Sequence, residues 1–203
     1  IISVSKWENK KIKDDFGIET EIIPNGIEVE EFLDVEPYEH GRQYLLCVGR
    51  LEKYKGVQDV IRAIVNLPAY DLLIAGSGPY RDRLEEVVKE EGVSGRVHFL
   101  GYVSDHALPS LYSGAEVFIT LSSFESFGLT VGEALAAGAP CLVLRRGALV
   151  DWESYKGVIG IDTKEVEDVI DGIIQAESLS SCPQSVPRWE DHVDKLEQVY
   201  RAE

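Results

Sequence analysis

Short apolar runs alternating with helix-spaced apolar stripes run through most of this 203-residue sequence, and they leave few architectures open. Tyr44-Leu45-Leu46-Cys47-Val48 is apolar without a break, the pattern of a strand buried on both faces. Gly49 closes it, and Val57, Val60, Ile61 and Ile64 then recur at helical spacing. The rhythm repeats with strands at 71–75, 97–100, 117–121 and 141–144, and 158–161 reads as a sixth. Helices are expected from about Tyr80 to Glu91, Ala107 to Tyr112, Leu129 to Ala137 and Lys164 to Gln175. The alternation predicts an α/β fold: a doubly wound parallel sheet of about six strands, covered by helices.

The flanks depart from this rhythm. Residues 1–43 read as a strand end and a helix, then Pro24-Asn25-Gly26, a turn in which Pro presets φ and Gly accepts φ > 0. Four segments are expected: 1–23, a connecting stretch over 24–43, the α/β unit over 44–177, and 178–203. The last holds a Ser- and Pro-rich linker and an amphipathic helix from about Glu190 to Tyr200. The chain has no methionine and opens on Ile1-Ile2-Ser3-Val4, which reads as a piece of a longer protein.

Charge narrows the function. Lys and Arg number 20 against 36 Asp and Glu, a net charge of −16, which argues against a nucleic-acid backbone or an anionic lipid surface as partner. No apolar stretch approaches the roughly 20 residues of a membrane span, and no signal peptide is visible. Cys47 and Cys141 lie in apolar runs and Cys182 stands alone, with no CxxC pair. A cytoplasmic protein with a small-molecule partner is expected.

Three segments are candidates for chemistry. Gly49-Arg50-Leu51-Glu52-Lys53-Tyr54-Lys55-Gly56 joins the first strand to its helix, at the end of a parallel sheet where ligands bind. Arg50 and Lys55 at a helix start would suit a diphosphate, Arg as a fork and Lys as a point charge. The alternative is a solvated basic loop. Glu125 and Glu133 flank Ser126-Phe127-Gly128-Leu129-Thr130 just beyond a buried strand. Carboxylates there would accept from hydroxyls while the amides of 127–130 donate to phosphate. Alternatively, both are surface glutamates. Gly76-Ser77-Gly78-Pro79 lacks the third glycine of a dinucleotide fingerprint, so a dehydrogenase is disfavoured and a tight turn is the plainer reading. No Asp-x-Asp is present to hold a metal on a diphosphate, and His40, His98, His106 and His192 are scattered along the chain. His98 reads as structural.

Taken in order, these segments resemble a family. Pro24-Asn25-Gly26-Ile27-Glu28, Val48-Gly49-Arg50-Leu51 with Lys55-Gly56, Gly76-Ser77-Gly78-Pro79, Phe99-Leu100-Gly101-Tyr102-Val103, and Glu125-Ser126-Phe127-Gly128-Leu129 with Glu133-Ala134 through Ala139-Pro140 resemble the C-terminal domain of family 4 glycosyltransferases. The resemblance implies the Rossmann-like C-terminal half of a retaining GT-B enzyme that takes a UDP-, GDP- or ADP-linked sugar, with no metal and no cofactor. It implies that Arg50 and Lys55 neutralise the departing diphosphate and that Glu125 holds the donor sugar. Glu133 would hold the ribose, Val103 and its neighbours the base, and Gly49, Gly76 and Gly78 the floor of the donor site. The amides from Phe127 to Thr130, with Ser126, would contact sugar and phosphates.

It further implies that 1–23 is the tail of an absent N-terminal acceptor domain, that 24–43 links the domains, and that 178–203 ends in a crossover helix. Such a fragment would bind nucleotide yet turn over little. Alternatives are a GT-B-type nucleotide-sugar epimerase and a non-catalytic nucleotide-sugar-binding module. The stretch Arg145-Arg146-Gly147-Ala148-Leu149-Val150-Asp151-Trp152 departs from the family's Gly-Gly turn, which leaves its contacts open, and Arg145 and Arg146 read as solvated. The last helix is expected to expose Val193, Leu196 and Tyr200.

Overall fold

A computed structural model describes residues 1–201. In chain order, β1 (Ile2–Ser3), α1 (Lys6–Phe16) and β2 (Glu21–Ile22) come first, and β1 pairs with β2 in a small parallel sheet. Then follow β3 (Tyr44–Val48), α2 (Val57–Ile64), β4 (Asp71–Ala75), α3 (Arg81–Glu90), β5 (Val97–Gly101), α4 (Leu108–Ser113) and β6 (Val117–Thr120). The chain continues with α5 (Leu129–Ala136), β7 (Cys141–Leu144), β8 (Val158–Ile161), α6 (Val166–Glu177) and α7 (Trp189–Arg201). Strands β3 to β8 form one parallel sheet in the spatial order β5-β4-β3-β6-β7-β8, which is the expected Rossmann-like, doubly wound arrangement.

Unbroken apolar strands fill two cores because successive side chains alternate between faces. Leu45, Cys47, Leu72, Ile74, Val117, Ile119, Leu142 and Leu144 meet α2, α3 and α6 on one face. Tyr44, Leu46, Leu73, Phe118, Cys141 and Val143 meet α4, α5 and Trp152 on the other. Burial leaves the Cys47 thiol raised to about 12 and raises that of Cys141 too, so both act as packing groups.

The stretch 24–43 is packed, with Ile27 and Val29 buried in the second core. Gly26 departs from the expected turn: it is not among the positive-φ glycines. A Cβ there would lie 2.3 Å from the Trp189 backbone. Ile27 pairs with Arg188 in a parallel bridge, Arg188 pairs with Glu30, and the His192 ring donates to the Pro24 carbonyl at 2.7 Å. Gly26 is therefore where α7 seats, because only a residue without a side chain lets the two backbones meet. Along α7, Val193 and Tyr200 are 48% and 72% exposed while Leu196 is half-buried.

The loop 145–152 is structural. Asp151 accepts from the Lys6 and Trp7 amides at 2.7 and 3.3 Å and so caps α1, alongside the Ser5 hydroxyl, which accepts from Glu8 N–H. Arg145 is committed to Glu153 and Asp162. Gly26→Ala is expected to lower stability by about 1–3 kcal/mol through overpacking, read as a lower urea midpoint with unchanged slope. A midpoint equal to the parent's would show that the Trp189 backbone yields freely.

Candidate functional site

The sheet reverses its winding between β3 and β6. Helix α2 leaves the end of β3 toward one face and α5 leaves the end of β6 toward the other, so the two loops part and open a crevice. Three close backbone contacts shape it. A Cβ on Gly56 would lie 2.6 Å from the Leu121 carbonyl oxygen, which locks the start of α2 against the end of β6. Ser123 N–H donates to Tyr54 O at 2.9 Å across the same gap. On the other side, Cβ atoms on Gly76 and Gly78 would sit 1.9 Å from Gly49 O and 2.3 Å from Leu51 O. Leu51 N–H donates to Ser77 O at 2.9 Å. The Gly-Ser-Gly segment is thus a packing surface for the 49–51 loop.

Gly49, with φ +139° and open space where a Cβ would be, floors a cleft of about 480 Å³ with Arg50, Gly76, Gly78, Val103 and Asp105. Tyr102, 78% exposed, forms its rim. A second hollow of about 250 Å³, lined by Leu129, Glu133, Ile27 and Trp189, shares Asp105 and Leu108 with the first. The two are parts of one groove along the carboxyl ends of the strands.

Four charged groups stand around this region, of which Arg50 lines the first hollow, Glu133 lines the second, and Lys55 and Glu125 line neither. Arg50 is exposed and pairs with Glu52 at 3.0 Å. Lys55 and Glu125 form an ion pair across the point of reversal, each about four-fifths shielded. Glu133 accepts from the buried Tyr112 hydroxyl at 2.8 Å. Burial raises the Glu133 carboxyl above its ordinary value and Asp105 adds to this, while the Tyr112 hydrogen bond opposes it.

The loop carrying Glu125 is held from below. Ser122 Oγ, fully buried, donates to Phe124 O at 2.9 Å; Ala148 N–H donates to Glu125 O at 2.9 Å; Trp152 Nε1 donates to Phe127 O at 2.6 Å. Phe127 itself is a core residue packed edge-on to Trp152, so its side chain faces away from the groove. Gly128 also answers to packing. It has φ +93°, and a Cβ would press on Leu149 and Trp152 at 3.1 Å, so the space beside its α-carbon is filled by the core. Thr130, in the first turn of α5, is half-buried and Ser126 is exposed; neither lines the two hollows.

Sequence reasoning missed two groups. Tyr112 supports Glu133 from 21 positions away, and no local pattern marks it. His40 and His98 are not scattered: both ring Nε2 atoms meet Asp71 Oδ2 at 2.9 Å, at the opposite end of the sheet.

The model of the family described as "Glycosyl transferases group 1" matches residues 28–188. An uncharacterized glycosyltransferase of Methanocaldococcus jannaschii is 42% identical over 110 residues, covering 53% of this chain and 28% of that protein. The glycogen synthase of Mycobacterium tuberculosis is 35% identical over 158 residues, covering 73% of this chain and 38% of the relative. The structure of Anabaena HepE in complex with UDP and glucose superposes with a TM-score of 0.86 at 16% identity, over 100% of this chain and 62% of HepE. The chain thus spans well under half of these two sequence relatives.

Because the folded Glu133 pKa is raised, the folded state holds a proton that the unfolded state has released over the window above the ordinary value of 4.5. Stability contributed by that proton is present at low pH and falls as pH rises through the window. Glu133→Gln keeps an acceptor for Tyr112 and removes the ionisation. It is expected to be at least as stable as the parent at pH 7 and to lose this pH dependence in thermal melts between pH 4 and 8. A steeper loss in the variant would contradict the assignment.

Proposed function

The chain belongs to the group 1 glycosyl transferases, and from that premise we propose that it is the donor-binding half of a retaining enzyme. The enzyme moves a sugar from a nucleotide-diphosphate sugar to an acceptor held by the rest of the protein. The carrying observation is the charge arrangement at the strand reversal: Lys55 paired with Glu125, and an exposed Arg50 that lines a groove floored by glycine backbone. As the bond from the anomeric carbon to the diphosphate oxygen lengthens, negative charge builds on the leaving group. Arg50 and Lys55 meet that charge without a metal, and the amides that open α5 add dipoles of the right sign.

In this reading Glu125 accepts from donor-sugar hydroxyls while fixing the Lys55 ammonium. Glu133 accepts from the ribose diol, and the base lies along Val103 and the Tyr102 ring. Affinity for the nucleoside should therefore fall as pH drops through the raised Glu133 pKa. The HepE complex makes UDP the first nucleotide to try. No described helix is long and apolar enough to cross a membrane. The thiols of Cys47, Cys141 and Cys182 are free, and the reading places the reaction in the cytoplasm. Residues 1–23 and α7 are assigned as the parts that meet the acceptor domain, and without that domain nucleotide binds but turnover is slight.

Calorimetry against UDP, GDP, ADP and NAD tests the reading. One diphosphate is expected to bind selectively. Arg50→Ala and Lys55→Ala are each expected to weaken it by at least about 1.5 kcal/mol, the scale of a charge-assisted bond. Unchanged affinity in both variants would refute the diphosphate clamp.

A further inference from the structure

His40, Asp71 and His98 come from three separate segments: the stretch before β3, the first residue of β4, and the second residue of β5. They converge at the amino ends of the strands, the opposite end of the sheet from the groove. Their three ligand atoms lie within 4.8 Å of one another, and each ring Nε2 is 2.9 Å from the same Asp71 oxygen. We propose that these residues form a binding site for a late first-row transition-metal dication, with Zn2+ as the representative ion.

Donor chemistry supports this. Two imidazole nitrogens and one carboxylate oxygen make a set that suits Zn2+, Co2+ or Ni2+ and not Mg2+ or Ca2+, which demand oxygen. Ligands at about 2.0–2.1 Å in a tetrahedron lie about 3.3 Å apart, so each 2.9 Å contact opens by about 0.4 Å while the two rings, whose ligand atoms lie within 4.8 Å, close around the ion.

The groups are also held in advance. Arg42 Nε donates to the other Asp71 oxygen at 2.9 Å and donates again to Pro68 O, turning Oδ2 toward the rings. The His40 ring stacks near Tyr38 and meets Tyr44 edge-on. Such outer contacts are what orient metal ligands. Asp71 is 5% exposed but His98 is 36% exposed, which leaves a side for the ion to enter and for water to fill the fourth position.

Binding needs no redox partner. Each ring uses its Nε2 lone pair, its proton moves to Nδ1, and Asp71 exchanges two N–H donors for the cation. The bound ion would tie the segment before β3 to β4 and β5. This site is independent of the donor reading and of any metal on the diphosphate.

The test uses protein stripped of metal with a chelator, titrated with ZnCl2 or MgCl2 in calorimetry and thermal melts. One Zn2+ per chain is expected, with a melting point raised by about 5 °C or more at a hundredfold excess over Kd, and no response to Mg2+. His40→Gln and His98→Gln are each expected to weaken Zn2+ binding at least tenfold while still melting cooperatively. Cys182→Ser, which removes the most accessible thiol, should leave it unchanged. Co2+ should give a d–d absorption band that disappears in His98→Gln. Absence of Zn2+ binding to the parent, or binding in both histidine variants as tight as the parent's, would overturn the site and leave a hydrogen-bonded trio.

Discussion

Everything at the functional end follows from one topological constraint, the reversal of strand order between β3 and β6. Right-handed crossovers send the helix after β3 to one face and the helix after β6 to the other, so no crossover covers the gap between them. The loops that border that gap must then satisfy their backbone groups against each other. They do so through contacts too close for any side chain: Gly56 on Leu121, Gly76 on Gly49, Gly78 on Leu51. These three glycines therefore shape the groove by letting loops dock, whereas Gly49 leaves open space above its own backbone.

The charges placed in this groove carry a stability cost. Glu133 is kept largely from water with one neutral hydroxyl as partner and a like charge nearby, an arrangement that disfavours its ionised form. Lys55 and Glu125 reduce the same cost by pairing across the gap, while Arg50 stays out in water beside Glu52. Exposure is thus graded across the groove, from the shielded Glu133 and Lys55–Glu125 pair to the solvated Arg50.

The two ends of the sheet are built differently. At the carboxyl ends, backbone amides and glycines dominate. At the amino ends, side chains close the structure, with Asp71 gathering His40, His98 and Arg42 onto one carboxylate. The loop 147–154 links the groove to the rest. Its Ala148 amide and Trp152 indole hold the Glu125 loop, and its Asp151 caps α1.

Much of this was legible in the chain itself. Period-two and period-3.6 apolar patterns are local, so the six strands, their helices and the loops carrying Arg50, Lys55, Glu125 and Glu133 follow from residue order alone. Burial on both faces also marks β3, β4, β6 and β7 by composition, because a strand without a wet side has little polar alternation. What lies far apart in sequence was not legible. The purpose of Gly26 and Gly128 is packing against Trp189 and Trp152, more than 160 and more than 20 residues away, and a glycine looks the same in a turn as under an indole. Tyr112 beneath Glu133 and the meeting of His40 with His98 are likewise decided by strand order and crossover handedness. Those contacts exist only once the sheet has closed, because no short segment brings their atoms within reach.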